Sequence, residues 1–188
     1  QFQDDLHKKI TSAFEAARAG FTPLHKHLIQ LKINNKQSTT MRAQPLINAR
    51  FFTKSNRAFK IEIQTRPAFD PSFKMENLPE NVLIGWFAHE MGHLMDYLNR
   101  PWYDLIKLGL AYAILPIYRI GVERRAHLFA IEYGYAKYIQ ATKHFILKES
   151  NIPDYYRSRI TKYYMTPEEI EEIVLQRKQI ETKRDSVV

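Results

Sequence analysis

The stretch "GWFAHEMGHLMDYL", residues 85 to 98, limits the possible folds of this chain more than any other. Two histidines, His89 and His93, stand four residues apart, and Glu90 directly follows the first. On an α-helix, positions i and i+4 lie on one face a turn apart. Both imidazoles can therefore aim a nitrogen at one ion. Glu90 sits about 100° round the helix from His89, displaced from the pair, where its carboxylate can reach a water on the metal without being a ligand. That is the mechanical content of H-E-x-x-H. The flanks "VLIGWFA" and "LM" predict a buried helix, and two buried imidazoles need hydrogen-bond partners or a metal. A pair of satisfied core histidines is the plain alternative. Gly92 lies mid-helix, where Gly costs about 1 kcal/mol against Ala. Close approach of another backbone would justify it.

A catalytic zinc site usually has three protein ligands and an open position. The chain has no cysteine, so any zinc must be held by His and carboxylate. The short continuation H-E-x-x-H-x-x-G-x-x-H fails, because Asp96 and Asn99 stand where Gly and His are required. The next candidate is Glu123, 30 residues after His93 in "GVERRAHLFAIEYGYA". Ala126, Ala130 and Gly134 recur there every fourth position, a stripe that lets this helix pack close to the motif helix, with Glu123 and His127 adjoining it. Asp96, on the metal side of its helix, is a candidate acceptor for a ligand imidazole's second N–H. Arg124 or Arg125 could hold Asp96 or a substrate carboxylate, although a solvated face is the bland reading.

The rest of the chain supplies the frame. Residues 4 to 19 read as an amphipathic helix with Leu6, Ile10, Ala13, Phe14 and Ala17 on one face, and Gly20 can close it. Strands are expected at "LIQLKI" (28 to 33), at "LINARFF" (46 to 52, the weaker candidate) and at "FKIEIQT" (59 to 65), with "TKSN" a hairpin turn and "RPAFDP" (66 to 71) a linker. Helices are expected from about Pro79 to Leu98, from 102 to 115 and from 119 to 149, where "NIPD" breaks the run. A last helix opens at "TPEEIEE" with a capping box, Thr166 at the N-cap, Pro167 at N1 and Glu169 at N3. The expected class is α+β: an N-terminal helix, a small, mostly antiparallel three-stranded sheet, then a helical half. A length of 188 residues suggests one domain, with a helix and basic β region at 1–78, metal-site helices at 79–150 and a C-terminal helical segment at 151–188.

"HEMGHLMDY" together with "ERRAHLFA" resembles the gluzincins, metallopeptidases with H-E-x-x-H and a downstream zinc-binding Glu, particularly their small minimal-domain members. The resemblance covers about 50 residues, 85 to 134. It implies a zincin-like fold with zinc held by His89, His93 and Glu123. It also implies a strand lining the cleft that pairs with extended substrate; here that would be "FKIEIQT". Where the family often has Asp or Asn four residues after the ligand Glu, this chain has His127, which would orient a ligand or compete as one. The implied reaction is peptide hydrolysis. Zinc lowers the pKa of its water toward 7, Glu90 acts as general base and proton carrier, and a Tyr or His donor helps to stabilise the oxyanion. Tyr133, Tyr135, Tyr138, Tyr155, Tyr156, Tyr163 and Tyr164 are all candidates for that donor.

Two other function classes stay open. The net charge is +8, and residues 24 to 67 alone carry nine Lys or Arg against one acid, Glu62. A non-catalytic or regulatory metal-binding protein could use this basic sheet to bind a protein or nucleic acid. No helix-turn-helix or aromatic-platform spacing supports nucleic acid, and the bland reading is a solvated strand surface. The most apolar run, residues 105 to 122, is broken by Pro116 and is too short to span a bilayer, which takes about 20 apolar residues; a buried helix pair or contact with a membrane surface fits it. Trp86 and Trp102 are expected in the core, and His7, His25, His27 and His144 on the surface. Residue 1 is Gln, which fits a removed signal peptide or a trimmed terminus, and the compartment is open.

Overall fold

The structure is a computed structural model that describes residues 2–34, 39–66, 74–149 and 152–185. The expected linker at 66 to 71 lies, beyond Arg66, outside the described residues. The first helix, α1 (Phe2–Gly20), buries Ile10, Ala13, Phe14 and Ala17, the face its spacing predicted. Its C-terminal turn is held by the Tyr135 hydroxyl, which donates to Ala16 O at 2.7 Å and accepts from Gly20 N–H at 2.9 Å.

Three strands form one mixed sheet in the order β1-β3-β2, with β1 (Ile29–Ile33) parallel to β3 (Phe59–Ile63) and β2 (Met41–Pro45) antiparallel to it. The sheet is therefore half parallel rather than mostly antiparallel. The strand expected at 46 to 52 is also misplaced. Residues Ala49–Phe52 form a 3-10 turn capped by Asn48, whose side chain accepts from Arg50 N–H. The real strand, "MRAQP", has little β-propensity, and its Pro45 is tolerated at the end of an edge strand. Of "TKSN", Lys54–Asn56 form another 3-10 turn with Thr53 at its N-cap, inside a long connection rather than a hairpin.

The motif helix α2 (Glu80–Asn99) runs through the middle of the molecule and is buried from Val82 to Asp96 except for Trp86. Pro79 stands at its N-cap, one position before the predicted first turn. Its C-terminus is closed by Arg57, which is fully buried and donates to Phe51 O, Tyr97 O and Arg100 O at 3.2, 2.6 and 2.9 Å. The contacts to Tyr97 and Arg100 fall on carbonyls at the helix end, where the last turn leaves them without intrahelical partners. His27 is buried too, with its Nδ1 at 2.8 Å from Arg57 O, so it is not a surface residue.

The next helices are α3 (Trp102–Ile114) and α4 (Pro116–Glu132). The long helix expected to run to 149 breaks at Gly134, which has φ +90°. Gly134 N–H bonds to Ile131 O and Tyr135 N–H to Ala130 O, the paired bonds of a Schellman stop. The chain then resumes as α5 (Ala136–His144), a π-helical turn (Phe145–Glu149), α6 (Asp154–Tyr163) and α7 (Pro167–Asp185). The capping box of α7 forms as predicted, with Thr166 N–H to Glu169 Oε2 at 2.8 Å and Glu169 N–H to Thr166 Oγ1 at 3.2 Å. Residues of α1, the sheet, α2, α4, α5 and α7 share one apolar core. The class is α+β, as expected.

Candidate metal centre

Helices α2 and α4 approach closely because neither carries bulk where they meet. Ala126 and Ala130 of α4 are fully buried, and a β-carbon on Gly92 would stand 2.1 Å from Ala126 O. Gly134, the third member of the predicted stripe, lies past the helix end. The contact brings Glu123, one turn before Ala126 and His127, against both motif histidines. Glu123 Oε2 is 3.0 Å from His89 Nε2 and 3.3 Å from His93 Nε2, and the two Nε2 atoms are 3.1 Å apart.

These three buried groups can hold a metal ion. A tetrahedral ion with bonds of about 2 Å spaces its ligand atoms about 3.3 Å apart, close to the spacing observed. The second Glu123 oxygen is occupied separately, since the Tyr112 hydroxyl donates to Oε1 at 2.6 Å. Oε2 is thereby aimed at the imidazoles. Among the described residues, the buried Nδ1 atoms of His89 and His93 meet no hydrogen-bond partner. His127 lies outside the group of three: its ring packs 4.8 Å from that of His89 and 5.7 Å from that of Tyr164. Asp96 Oδ1 accepts from Arg100 Nε and Nη2 at 3.1 and 3.0 Å and from Arg125 Nε at 3.2 Å, so its partners are guanidinium groups rather than an imidazole. Arg124 pairs with Glu169 at 2.9 Å.

Burial and charge divide the protons unevenly. Burial pushes His89 down to about 4 and His127 well below its ordinary value. Burial also opposes the charge on His93, but Glu123, Glu90 and Asp96 together outweigh it and lift His93 to about 9. Glu123 in turn stays ionised, because the two imidazoles overcome the burial that would raise it. Burial raises Glu90 to about 7, against the pull of His93 and a backbone hydrogen bond from Ala43.

The cluster opens on a cavity of about 870 Å³, lined by His89, Glu90, His93 and Glu123 on one side and by the β2 segment on another. The strand beside the cleft is thus β2, at the sheet edge, and not "FKIEIQT", which is paired on both sides as β3. Gln64 N–H bonds to Thr40 O and Leu46 N–H to Ala58 O. By the alternation of an antiparallel ladder, Ala43 faces away from β3. Its backbone meets the Glu90 carboxylate and the Tyr97 hydroxyl, the latter donating to Ala43 O at 3.4 Å.

Of the tyrosines considered as donors, Tyr156 and Tyr164 line the cavity, and Tyr164 lies 5.4 Å from the His89 ring. Tyr133 and Tyr135 instead stack on Phe21. Two cavity residues went unnoticed in the sequence. Tyr112 was hidden in an apolar run, where the only signal was a hydroxyl in need of a partner. Lys143 is 4% exposed, and its ammonium lies 4.3 Å from the Tyr164 ring centroid. Burial pushes it down to about 7.

The basic segment is partly spent within the protein. Arg42 and Lys60 reach Glu62 at 2.7 and 3.3 Å, Lys54 donates to Asn99 O, and Arg57 caps α2. In comparisons with known proteins, no family model, no curated protein and no solved structure matches the chain.

Proposed function

We propose that this protein is a zinc-dependent peptidase of the gluzincin kind, with His89, His93 and Glu123 as metal ligands and Glu90 as general base. The observation that carries this reading is the convergence of His89 Nε2, His93 Nε2 and Glu123 Oε2 within 3.3 Å of one another at a cavity that Glu90 also lines. A His-His-carboxylate set suits zinc, which when bound there would supply the Lewis acidity that makes water nucleophilic near neutral pH.

The chain's own groups would do the rest. Glu90 takes a proton from the attacking water on one carboxylate oxygen and delivers it to the leaving amine. The hydrogen bond from Ala43 N–H holds that carboxylate at the cleft wall. Tyr112 fixes Glu123 through Oε1. Strand β2 borders the cavity in extended form, so a peptide in the cavity would lie beside it. Tyr164 and Tyr156 are the hydroxyls available to an oxyanion. A site kept only for structure would have no use for a carboxylate in the position of Glu90, and this favours an enzyme over a purely structural metal protein.

The test begins with metal content by mass spectrometry for wild type, His93→Ala and Glu123→Ala. The expected result is about one zinc per chain in wild type and none in either variant. Glu90→Gln is then expected to keep the zinc and to lose cleavage of a peptide library. Zinc retained by Glu123→Ala would refute the ligand set, and cleavage that survives Glu90→Gln would refute the mechanism. Zinc bound by a protein that cleaves nothing would turn the reading to a regulatory metal protein.

A further inference from the structure

We infer that the α3–α4 corner is a docking surface for an anionic lipid bilayer. The inner face of α3 is ordinary core: Leu105 and Leu108 pack with Phe51 and Val122. The outer face is apolar as well, which is unusual for a helix bordering solvent. Trp102, Ile106, Leu110 and Ile114 recur every fourth residue along it, and all are exposed, Leu110 by 62% and Ile114 by 72%. Pro116 opens α4, and the corner there carries Leu115 and Ile117, the latter 76% exposed. Trp102, expected in the core, instead meets Phe52 edge-on at 5.4 Å at the other end of the patch. Contiguous apolar surface of this kind marks an interaction site.

Charge chooses the occupant. Lys107 on α3 and Arg50 on the neighbouring 3-10 turn are exposed around the patch. Residues 46 to 57 contain no acid, and residues 99 to 122 contain only Asp104 against Arg100, Lys107 and Arg119. A second copy of the chain laid face to face would set these cations against one another. An anionic lipid surface matches them, while the aliphatic residues enter the acyl boundary and Trp102 and Tyr103 sit at headgroup level. Among the described residues, no helix is long and apolar enough to cross a membrane, so the helix would lie in the surface plane. Ile106 and Leu110 also line the cavity. Docking would therefore hold the cavity mouth at the bilayer, where membrane-anchored polypeptides are within reach.

The test is co-sedimentation of the full chain with vesicles of phosphatidylcholine, with and without about one third phosphatidylserine. It is run for wild type and for Leu110→Ser/Ile114→Ser, which leaves the net charge unchanged and alters only exposed side chains. Wild type is expected to sediment with the anionic vesicles, and the double variant to bind about tenfold or more weakly. A blue shift of fluorescence on docking, lost in Trp102→Phe, would place the patch at the lipid. No sedimentation at low salt would overturn the proposal. Equal binding by wild type and double variant would also overturn it, since that is the behaviour of a basic protein held by charge alone. So would self-association that the double variant abolishes, which would make the face an interface between copies. None of these readouts depends on zinc or on cleavage.

Discussion

Gly92 of α2 and Ala126 of α4 meet so closely that a β-carbon on the glycine would stand 2.1 Å from the alanine's carbonyl oxygen. No side-chain rotation relieves such a clash, because the obstacle is backbone. Gly92→Ala must push α4 outward, and Glu123 lies one turn from the contact. The expected outcome is a loss of about 3 kcal/mol or more in urea unfolding, with zinc affinity falling in parallel. Gly109 is the control. A β-carbon there meets nothing within 4 Å, so Gly109→Ala should stabilise the protein by about 0.5–1 kcal/mol. A well-folded Gly92→Ala with unchanged stability would mean that the two helices do not pack this tightly.

Tyr112 holds the outer oxygen of Glu123, its hydroxyl donating at 2.6 Å. Tyr112→Phe removes that hydroxyl and keeps the ring. Groups that orient a ligand are worth about 10–100-fold in metal affinity, so competition titration against a chromophoric chelator should show zinc binding weakened by about tenfold. The thermal midpoint of the metal-stripped protein should change far less. If affinity is unaltered, Glu123 needs no orienting partner.

How much of this was readable in the chain depended on how local the signal was. The i, i+4 pair at His89 and His93 is set by helix geometry alone, and the capping box at Thr166 and Glu169 lies within four residues. Glu123 required one further step, the inference that Gly92 and the alanines of α4 let two backbones meet. Strand β2 was missed because Arg42, Gln44 and Pro45 lack β character; its place is set by tertiary pairing with β3 and packing on α2. The break at Gly134 was missed because glycine fits both a packing stripe and a left-handed stop, and only the bonds of Tyr135 and Gly134 distinguish them. Arg57 counted only as one charge of the basic segment and His27 was expected on the surface, because nothing in sequence shows that a residue will be buried against a helix end distant in the chain.

Glu62, the lone acid of the basic segment, gives a pH dependence with a definite sign. Its carboxyl is held below 4.5 chiefly by Arg42, directly opposite on β2, against the raising effect of burial and with help from Lys60 and Asn34. A depressed carboxylate stabilises the fold above its unfolded value, and that stabilisation is lost as pH falls through the folded value. Glu62→Gln should therefore be less stable than wild type by about 1 kcal/mol at neutral pH, Arg42 being partly exposed. The gap should hold above the unfolded value and close as pH falls through the lowered folded value. Urea midpoints across that range decide it, and a gap that widens with acid would contradict the assignment.

Lys143 has the opposite kind of shift. Burial is the main cause that brings it down from 10.5 to about 7, while Glu123 and Glu169 pull weakly the other way. Between those two values the unfolded chain holds a proton that the folded chain has given up, so stability should rise with pH across this window. Below about 7 the cost of burying the cation is present in full. Lys143→Met fills similar space without charge and should be the more stable protein by about 1–3 kcal/mol at pH 6, once the lost contact with the Tyr164 ring is counted. Its advantage should shrink toward pH 10. Calorimetric midpoints for both proteins at the two pH values give the answer. A variant that is less stable at pH 6 would show that the ammonium's contact with Tyr164 outweighs its desolvation.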